Sequence, residues 1–144
     1  MTERQKFSTF YLGGLLFGIE VEKIQEVLNY QEITPVPHAP SVVLGLINLR
    51  GQIITAVDLR QRLGLCERAA SRLSINIVIR TNEELLSLLV DGVGEVVEVG
   101  EETFAPPPET MDPKNRELVR GVHKLSDKLM HVLSTEKTID WAPT

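Results

Sequence analysis

An internal repeat constrains the fold of this chain more than any other feature of its sequence. Four kinds of segment recur in the same order in the two halves: an apolar segment with acidic residues, a proline-bearing connector, an apolar strand that starts with glycine, and a helix-capping residue. Four matches in one order predict two copies of one structural unit. The matched pairs are Val21–Val27 with Val90–Val96, Ile33–Pro37 with Phe104–Pro108, Gly45–Leu49 with Gly121–Leu125, and Asp58 with Ser134.

The first copy contains two predicted hairpins. Gly13-Gly14 suits the positive φ angles of a tight turn, and apolar segments flank it on both sides. A second hairpin is predicted around Arg50-Gly51, between Gly45–Leu49 and Gln52–Val57. Its counterpart in the second copy has Ser126-Asp127 at the turn, which is ordinary turn chemistry. The arginine at the Arg50-Gly51 turn is therefore unusual.

Helix signals are few and short. Val21, Ile24 and Leu28 recur at helical spacing, which predicts one amphipathic helix. Asp58 can cap a second short helix that Gly64 would end. The prolines of both connectors favour extended structure over a central strand. Most of the chain is therefore predicted to form strands.

These elements predict an all-β fold with short helices, built as two five-stranded barrels packed side by side. The turns are too many for a parallel sheet, and each copy is too short for a sandwich. We expect one domain over residues 1–144, with subdomains at about 7–66 and 73–134, and a short C-terminal helix and tail over 135–144. The break between the copies is the polar stretch Cys66–Arg72. Because half-size barrels would be marginally stable alone, they should share an apolar interface.

Charge, cysteine content and the distribution of apolar residues limit the possible partners and cellular locations of this protein. The chain of 144 residues has a net charge of −5, which argues against nucleic acid as the main partner because phosphate binding needs a basic surface. Cys66 is the only cysteine, so an intrachain disulfide is impossible. Residues 1–6 lead into no apolar run of a signal peptide, and no stretch reaches the ~20 apolar residues of a membrane span. We expect a cytoplasmic protein without direct membrane contact.

Signals for catalysis, metal or cofactor binding are weak. None of the three histidines, His38, His123 and His131, stands in a metal-binding pattern such as H-E-x-x-H. The sequence has no phosphate loop and no nucleophile elbow. The paired acids Glu83-Glu84 and Glu101-Glu102 lie in turn-like stretches and are more typical of solvated charges than of a catalytic dyad. We therefore expect neither an enzyme nor a cofactor, although catalytic groups can meet in space without being neighbours in sequence.

The segment Val43–Arg60 closely resembles the signature of the CheW family. Its most specific part is the turn Asn48-Leu49-Arg50-Gly51, followed by a strand and by Asp58-Leu59-Arg60. The resemblance runs from about Phe7 to Ile139, nearly the whole chain. Three other segments carry it: Ile19–Val27, Leu89–Val96 and Phe104–Pro108.

This resemblance implies two barrels of the Src-homology-3 (SH3) kind and no catalysis. Members of the family bind the regulatory domain of the histidine kinase CheA and the cytoplasmic hairpin tip of chemoreceptors. The chain is therefore expected to be a non-enzymatic adaptor that couples chemoreceptors to a CheA-type kinase in a bacterial chemosensory array. We expect it to be monomeric when isolated.

The resemblance also assigns positions of this chain to the two contacts. Glu26 resembles the acidic partner of Arg50. For Ile24, Val93 and Val96 an ordinary core position is equally compatible with the sequence, and Gly45 is also compatible with a simple close approach of two backbone segments. The kinase-binding residues are Ile33, Thr34 and Gly45. The receptor-binding residues are Ile24, Val27, Arg50, Val93 and Val96.

The alternative hypothesis is a small barrel that binds a ligand or nucleic acid, since such barrels often present binding surfaces. Two observations argue against it. The acidic balance disfavours nucleic acid, and aromatic residues make up only 5% of the chain, although base-stacking surfaces need them. The adaptor hypothesis is therefore favoured.

Overall fold

The protein is mostly β-sheet with short helices, as predicted. The structure is a computed structural model, and it describes residues 4–63, 74–81, 84–108 and 113–138. The strands are β1 (Gln5–Leu12), β2 (Leu15–Glu20), β3 (Ile24–Asn29), β4 (Val43–Leu49), β5 (Gln52–Asp58), β6 (Ile75–Thr81), β7 (Glu84–Val90), β8 (Gly92–Val99), β9 (Phe104–Ala105), β10 (Val119–Lys124) and β11 (Leu129–Leu133). The helices are α1 (Leu59–Arg62), α2 (Pro113–Leu118) and α3 (Thr135–Thr138), and 3₁₀ turns cover Val21–Lys23 and Glu101–Thr103.

The strands form two mixed sheets with equivalent strand orders. The first sheet has the order β8-β1-β2-β11-β10-β9, and the second sheet has the order β3-β6-β7-β5-β4. In each sheet one parallel pair, β2 with β11 or β5 with β7, joins antiparallel neighbours. The predicted pair of similar β units is confirmed, with six and five strands in place of five each. Within the described part of the chain, no ladder closes either sheet into a full barrel.

Each sheet contains a hairpin from the other half of the chain. The β1–β2 hairpin lies between β8 and β11 in the first sheet, and the β6–β7 hairpin lies between β3 and β5 in the second. The consecutive subdomains expected at 7–66 and 73–134 therefore do not coincide with the two sheets. The expected break at 66–72 lies outside the described residues.

The two sheets pack through one large cluster of buried side chains, here called the shared core. Because β1, β2, β6 and β7 contribute to it from one face and to a smaller cluster from the other, these strands are apolar on both faces. Each buried side chain of this size contributes about 1.5–3 kcal/mol. The shared core consists of Phe10, Leu12, Phe17, Ile19, Val57, Leu59, Leu63, Ile77, Ile79, Leu86, Leu88, Val90, Leu118, Val119 and Leu133. The smaller clusters centre on Phe7, Leu16, Val99, Met130 and Val132 in the first sheet, and on Ile47, Ile54, Ala56 and Val78 in the second.

The helix predicted from Val21, Ile24 and Leu28 is wrong. Only a 3₁₀ turn forms, and β3 follows it at once. Ile24 packs against the shared core, whereas Leu28 packs against the smaller cluster on the opposite face of β3. Val21 is exposed, so the three residues do not form one buried helical face.

The two predicted capping positions are occupied as expected. The carboxylate of Asp58 accepts a hydrogen bond from the backbone N–H of Gln61 at 3.3 Å, at the start of α1. In the second copy the hydroxyl of Ser134 accepts one from the N–H of Lys137 at 3.3 Å. Both bonds satisfy backbone donors that a helix start leaves open. The predicted stop at Gly64 lies outside the described residues.

Candidate functional site

The tip of the β4–β5 hairpin carries an arginine in an unusual backbone conformation. Leu49 pairs with Gln52, so Arg50 and Gly51 form the predicted two-residue turn, with φ angles of 52° and 85°. Most residues with a β-carbon are disfavoured at such angles; glycine adopts them readily, and asparagine tolerates them through local hydrogen bonds of its side chain. Asn48 supports the turn by accepting the Gly51 N–H at 2.9 Å. Turn geometry therefore does not explain why residue 50 is an arginine.

The guanidinium of Arg50 forms a two-point ion pair with Glu26. Its Nη1 donates to Oε2 at 2.7 Å and its Nη2 donates to Oε1 at 2.6 Å. These hydrogen bonds hold the pKa of Glu26 below its ordinary value and raise the pKa of Arg50, so both groups are charged at neutral pH. The expected pairing of Glu26 with Arg50 is present. The arginine side chain remains 71% exposed, against 26% for the glutamate.

This ion pair joins the two edge strands of the second sheet. Glu26 lies on β3 and Arg50 follows β4, and these strands are the first and last of that sheet. The sheet must curl strongly to bring its two edge strands within hydrogen-bonding distance. The ion pair therefore fixes an exposed guanidinium next to β3.

Equivalent bulges place the four apolar receptor candidates. β3 bulges beside Ile24, and β8 bulges against β1 between Val93 and Val96. Ile24 therefore projects from the same face as Val27, and Val93 from the same face as Val96. These two pairs are equivalent positions of the repeat. Ile24 is half-buried and packs against the shared core, so it is in part an ordinary core residue.

The face that carries these residues continues the face by which the sheets pack. Val27 pairs with Ile77 and Val93 pairs with Phe10, and both partners belong to the shared core. Paired residues of neighbouring strands project from the same face. β3 and β8 are edge strands, so their valines lie partly in solvent. Val27 is 43% exposed, Val93 is 41% exposed and Val96 is 58% exposed. Both strands thus present aliphatic side chains to solvent at the edge of the shared core.

The kinase candidates Thr34 and Gly45 meet where the first connector crosses β4. Thr34 forms a two-bond bridge with Leu46, with both N···O distances 2.8 Å. Gly45 is buried with φ of 151°, and a β-carbon there would collide with the carbonyl oxygen of Thr34 and lie 2.8 Å from Cγ2 of Ile33. Gly45 therefore permits a close approach of two backbone segments, which is the second explanation that the sequence allowed for this glycine. Gly121 makes the same approach in the first sheet, beneath β9.

Ile33 and Thr34 differ in exposure. Ile33 is half-buried and packs against the smaller cluster of the second sheet, so this kinase candidate is in part an ordinary core residue. Consecutive side chains of an extended segment project to opposite sides. The side chain of Thr34 points to solvent at the bridge to Leu46, so the side chain of Ile33 points inward. Thr34 is the exposed member of the pair.

Ile53 is an exposed residue that the sequence does not mark. It follows the Arg50-Gly51 turn on β5 and is 60% exposed. Its repeat equivalent Leu129 is also exposed, by 41%. The sequence gives no clear alternation along β5, because Ile54 after Ile53 is equally apolar but buried, and Ala56 and Val57 are both buried.

His123 has a buried imidazole with a lowered pKa. Its Nδ1 lies 2.8 Å from the hydroxyl of Thr103, and the rings of Phe7 and Phe104 pack against it. Burial lowers the pKa of His123, which the charge of Glu102 opposes in part. The unfolded chain therefore binds a proton at a pH where the folded chain does not, and stability falls as pH drops through the unfolded pKa of about 6.5.

We expect this loss of stability to depend on His123. Between pH 7.5 and pH 5.5 the melting temperature of the wild type should fall more than that of His123→Phe, which cannot titrate. Thermal melts at both pH values measure the difference. Equal decreases in the two proteins would contradict the assignment to this imidazole.

The described residues contain neither a metal-binding group nor a membrane-spanning helix. No group of three or more histidine, cysteine, aspartate or glutamate side chains in them is arranged to hold a metal ion. Among the helices in the described ranges, none has the length and apolar character needed to cross a membrane.

Comparison with known proteins gives one consistent result. The family model of the CheW-like domain matches residues 6–142. The chemotaxis protein CheW of Rhizobium meliloti is 31% identical over 121 residues, which are 84% of this chain and 78% of that protein. The chemotaxis protein CheW of Thermotoga maritima is 31% identical over 132 residues, covering 92% and 85%.

A solved structure agrees with the sequence comparison. The crystal structure of the scaffolding protein TtCheW from Thermoanaerobacter tengcongensis superposes with a TM-score of 0.85 at 31% identity. The match covers 96% of this chain and 94% of that protein. The chain belongs to the CheW-like domain family of chemotaxis scaffolding proteins.

Proposed function

We propose that this protein is an adaptor that couples chemoreceptors to a CheA-type histidine kinase in a chemosensory array. The observation that carries the proposal is the exposed, bidentate Arg50–Glu26 pair beside an edge strand with a solvent-exposed valine. Relatives of the chain are chemotaxis proteins, and one similar structure is a scaffolding protein. Coupling requires two separate contact surfaces, and the chain offers two.

The first surface is proposed to bind the receptor tip. It comprises the edge of β3 with Arg50 on one side and the rim residues Ile24, Val27, Val93 and Val96 on the other, because Glu26 and Val27 project from opposite faces of that strand. Aliphatic side chains at the edge of the shared core suit the apolar face of a receptor helix. A guanidinium has five N–H donors, and Glu26 takes two of them, so Arg50 keeps donors for carbonyl or carboxylate oxygens of the helix.

The second surface is proposed to bind the regulatory domain of the kinase. It lies where the connector with Ile33 and Thr34 crosses β4 beside Gly45. β4 is an edge strand, and this connector pairs with it through a single β-bridge. The remaining backbone groups of such an edge are available for a partner barrel.

Sedimentation of mixtures tests the proposal. The chain should form one complex with a CheA regulatory domain and another with a receptor cytoplasmic fragment at about 50 µM, well above the affinity of a transient signalling contact. Independent sedimentation of both partners would overturn the proposal. Tight, salt-sensitive binding of single-stranded nucleic acid would instead support the alternative barrel function.

Thr34→Glu should weaken kinase binding about tenfold and leave receptor binding unchanged. Thr34 is exposed and bonds Leu46 through its backbone alone, so the fold tolerates the new charge. Ile33 is a poorer probe because its side chain packs inside the sheet. Titration of each labelled partner measures the two affinities.

Ser126→Glu is the matched control for Thr34→Glu. It adds the same charge at an exposed turn of the first sheet, and we expect no change in kinase affinity. Equal losses for kinase and receptor in Thr34→Glu would remove Thr34 from the kinase surface.

A further inference from the structure

Asp91 is the whole connection between the two sheets at their second crossing. β7 of the second sheet ends at Val90, and β8 of the first sheet begins at Gly92. The Asp91 N–H donates to the carbonyl of Tyr11 at 3.0 Å. The chain therefore has no slack at this point, and the conformation of one residue directs where β8 goes.

The carboxylate of Asp91 contacts an element of each sheet. Its Oδ2 accepts the N–H of Gly13 at 2.9 Å, in the β1–β2 turn of the first sheet. The same oxygen accepts a hydrogen bond from Nη2 of Arg60 at 2.6 Å. Arg60 lies in α1, which follows β5 of the second sheet. The side chains of Arg60 and Asp91 are 14% and 26% exposed, so water screens this pair less than it screens a fully exposed one.

The first crossing has a comparable arrangement. Glu20 ends β2, and the chain then enters the second sheet through the 3₁₀ turn before β3. Its carboxylate is 8% exposed and contacts Arg120 at 2.5 Å and Lys23 at 3.1 Å. At both crossings an acid that pairs with at least one cation thus precedes a bulged strand that carries rim residues.

We propose that Asp91 and Arg60 are a positioning pair that sets the direction of β8 and so presents Val93 and Val96 to the receptor. The inference rests on the proposed receptor coupling. Neither charged group touches the receptor in this scheme. Arg60 ends the segment Asp58-Leu59-Arg60 and Asp91 belongs to the segment Leu89–Val96, so the pair gives a role to two motif residues that the two contact surfaces leave unused.

Asp91→Asn tests the pair with little change in shape. The asparagine oxygen can still accept the Gly13 N–H, but the charge that holds Arg60 is lost. We expect binding to a receptor cytoplasmic fragment to weaken about tenfold, with kinase binding unchanged. Hydrogen exchange should become faster in β8 and remain unchanged in β4 and β5. Glu84→Gln, at the exposed start of β7, is the control with the same charge change and should behave as wild type.

A double-mutant cycle decides whether Asp91 acts through Arg60. The receptor-binding losses of Asp91→Asn and Arg60→Gln should be clearly non-additive in the double variant. Additive losses, wild-type receptor binding by Asp91→Asn, or a parallel loss of kinase binding would each overturn the positioning role. If Asp91→Asn fails to fold by circular dichroism, Arg60→Gln replaces it under the same criteria, because it also removes the charge pair. Failure of the wild type to bind the receptor fragment overturns the proposed function instead, so the two failures are distinguishable.

Discussion

Arg50→Ala should reduce receptor-dependent kinase activation at least about tenfold and leave the melting temperature within about 3 °C of wild type. The side chain is 71% exposed, so its loss removes little that stabilises the fold. Activation should fall because the variant loses both the Glu26 pair and the remaining donors. Arg50→Lys should restore little, since an ammonium group lacks the planar fork that binds a carboxylate at two points.

Arg4→Ala is the matched control for this experiment. Arg4 is also an exposed arginine, at 52%, and pairs with Glu98 and Glu102 on the first sheet, away from the Arg50 turn. We expect it to activate the kinase normally in a reconstituted assay with receptor and kinase. If Arg50→Ala also activates like wild type, the guanidinium has no part in coupling. A strongly lowered melting temperature would make it a structural residue.

Gly45→Ala should destabilise the protein by about 2–4 kcal/mol, which lowers the melting temperature by about 6–15 °C. The φ of 151° is unfavourable for any side chain, and the new methyl group would press on the backbone of Thr34. Backbone cannot move aside as a flexible side chain can. The connector must therefore lift from β4, and kinase binding should fall with it.

Gly92→Ala is the control for Gly45→Ala. A β-carbon at Gly92 meets no atom within 4 Å, so we expect a change within about 1 kcal/mol. Chemical denaturation measures both free energies of unfolding. If Gly45→Ala is as stable as wild type but loses the kinase, the glycine belongs to the contact itself and the structural explanation is wrong.

The sequence predicted the repeat well because both copies solve the same local problems. Gly45 and Gly121 each make room for a connector, and Asp58 and Ser134 each cap a short helix. The exchange of hairpins was not predictable. Strands that bury apolar side chains on both faces can pair with either half, and β1 does so with Phe7 and Phe10, as β2 does with Leu16 and Phe17.

The sequence also cannot separate a bulged strand from a helical turn. Ile24 and Val27 share a face across a three-residue interval, which fits both structures. The Arg50–Glu26 pair was anticipated from family resemblance, whereas the positive φ of Arg50 was not. The pairing of Arg60 with Asp91 depends on tertiary structure, because nothing local in either segment identifies the other as its partner.

The exchange of hairpins has a consequence for the order of folding during synthesis. β1 and β2 leave the ribosome before the other described strands, but their neighbours β8 and β11 follow only after the whole second sheet has been made. The second sheet has all its strands once Val90 has emerged, whereas the first hairpin keeps two open edges until residues 92–133 follow. A nascent or truncated chain that ends before Gly92 therefore carries a folded sheet next to an unpaired apolar hairpin, which is the kind of edge that chaperones cover and that aggregates form on.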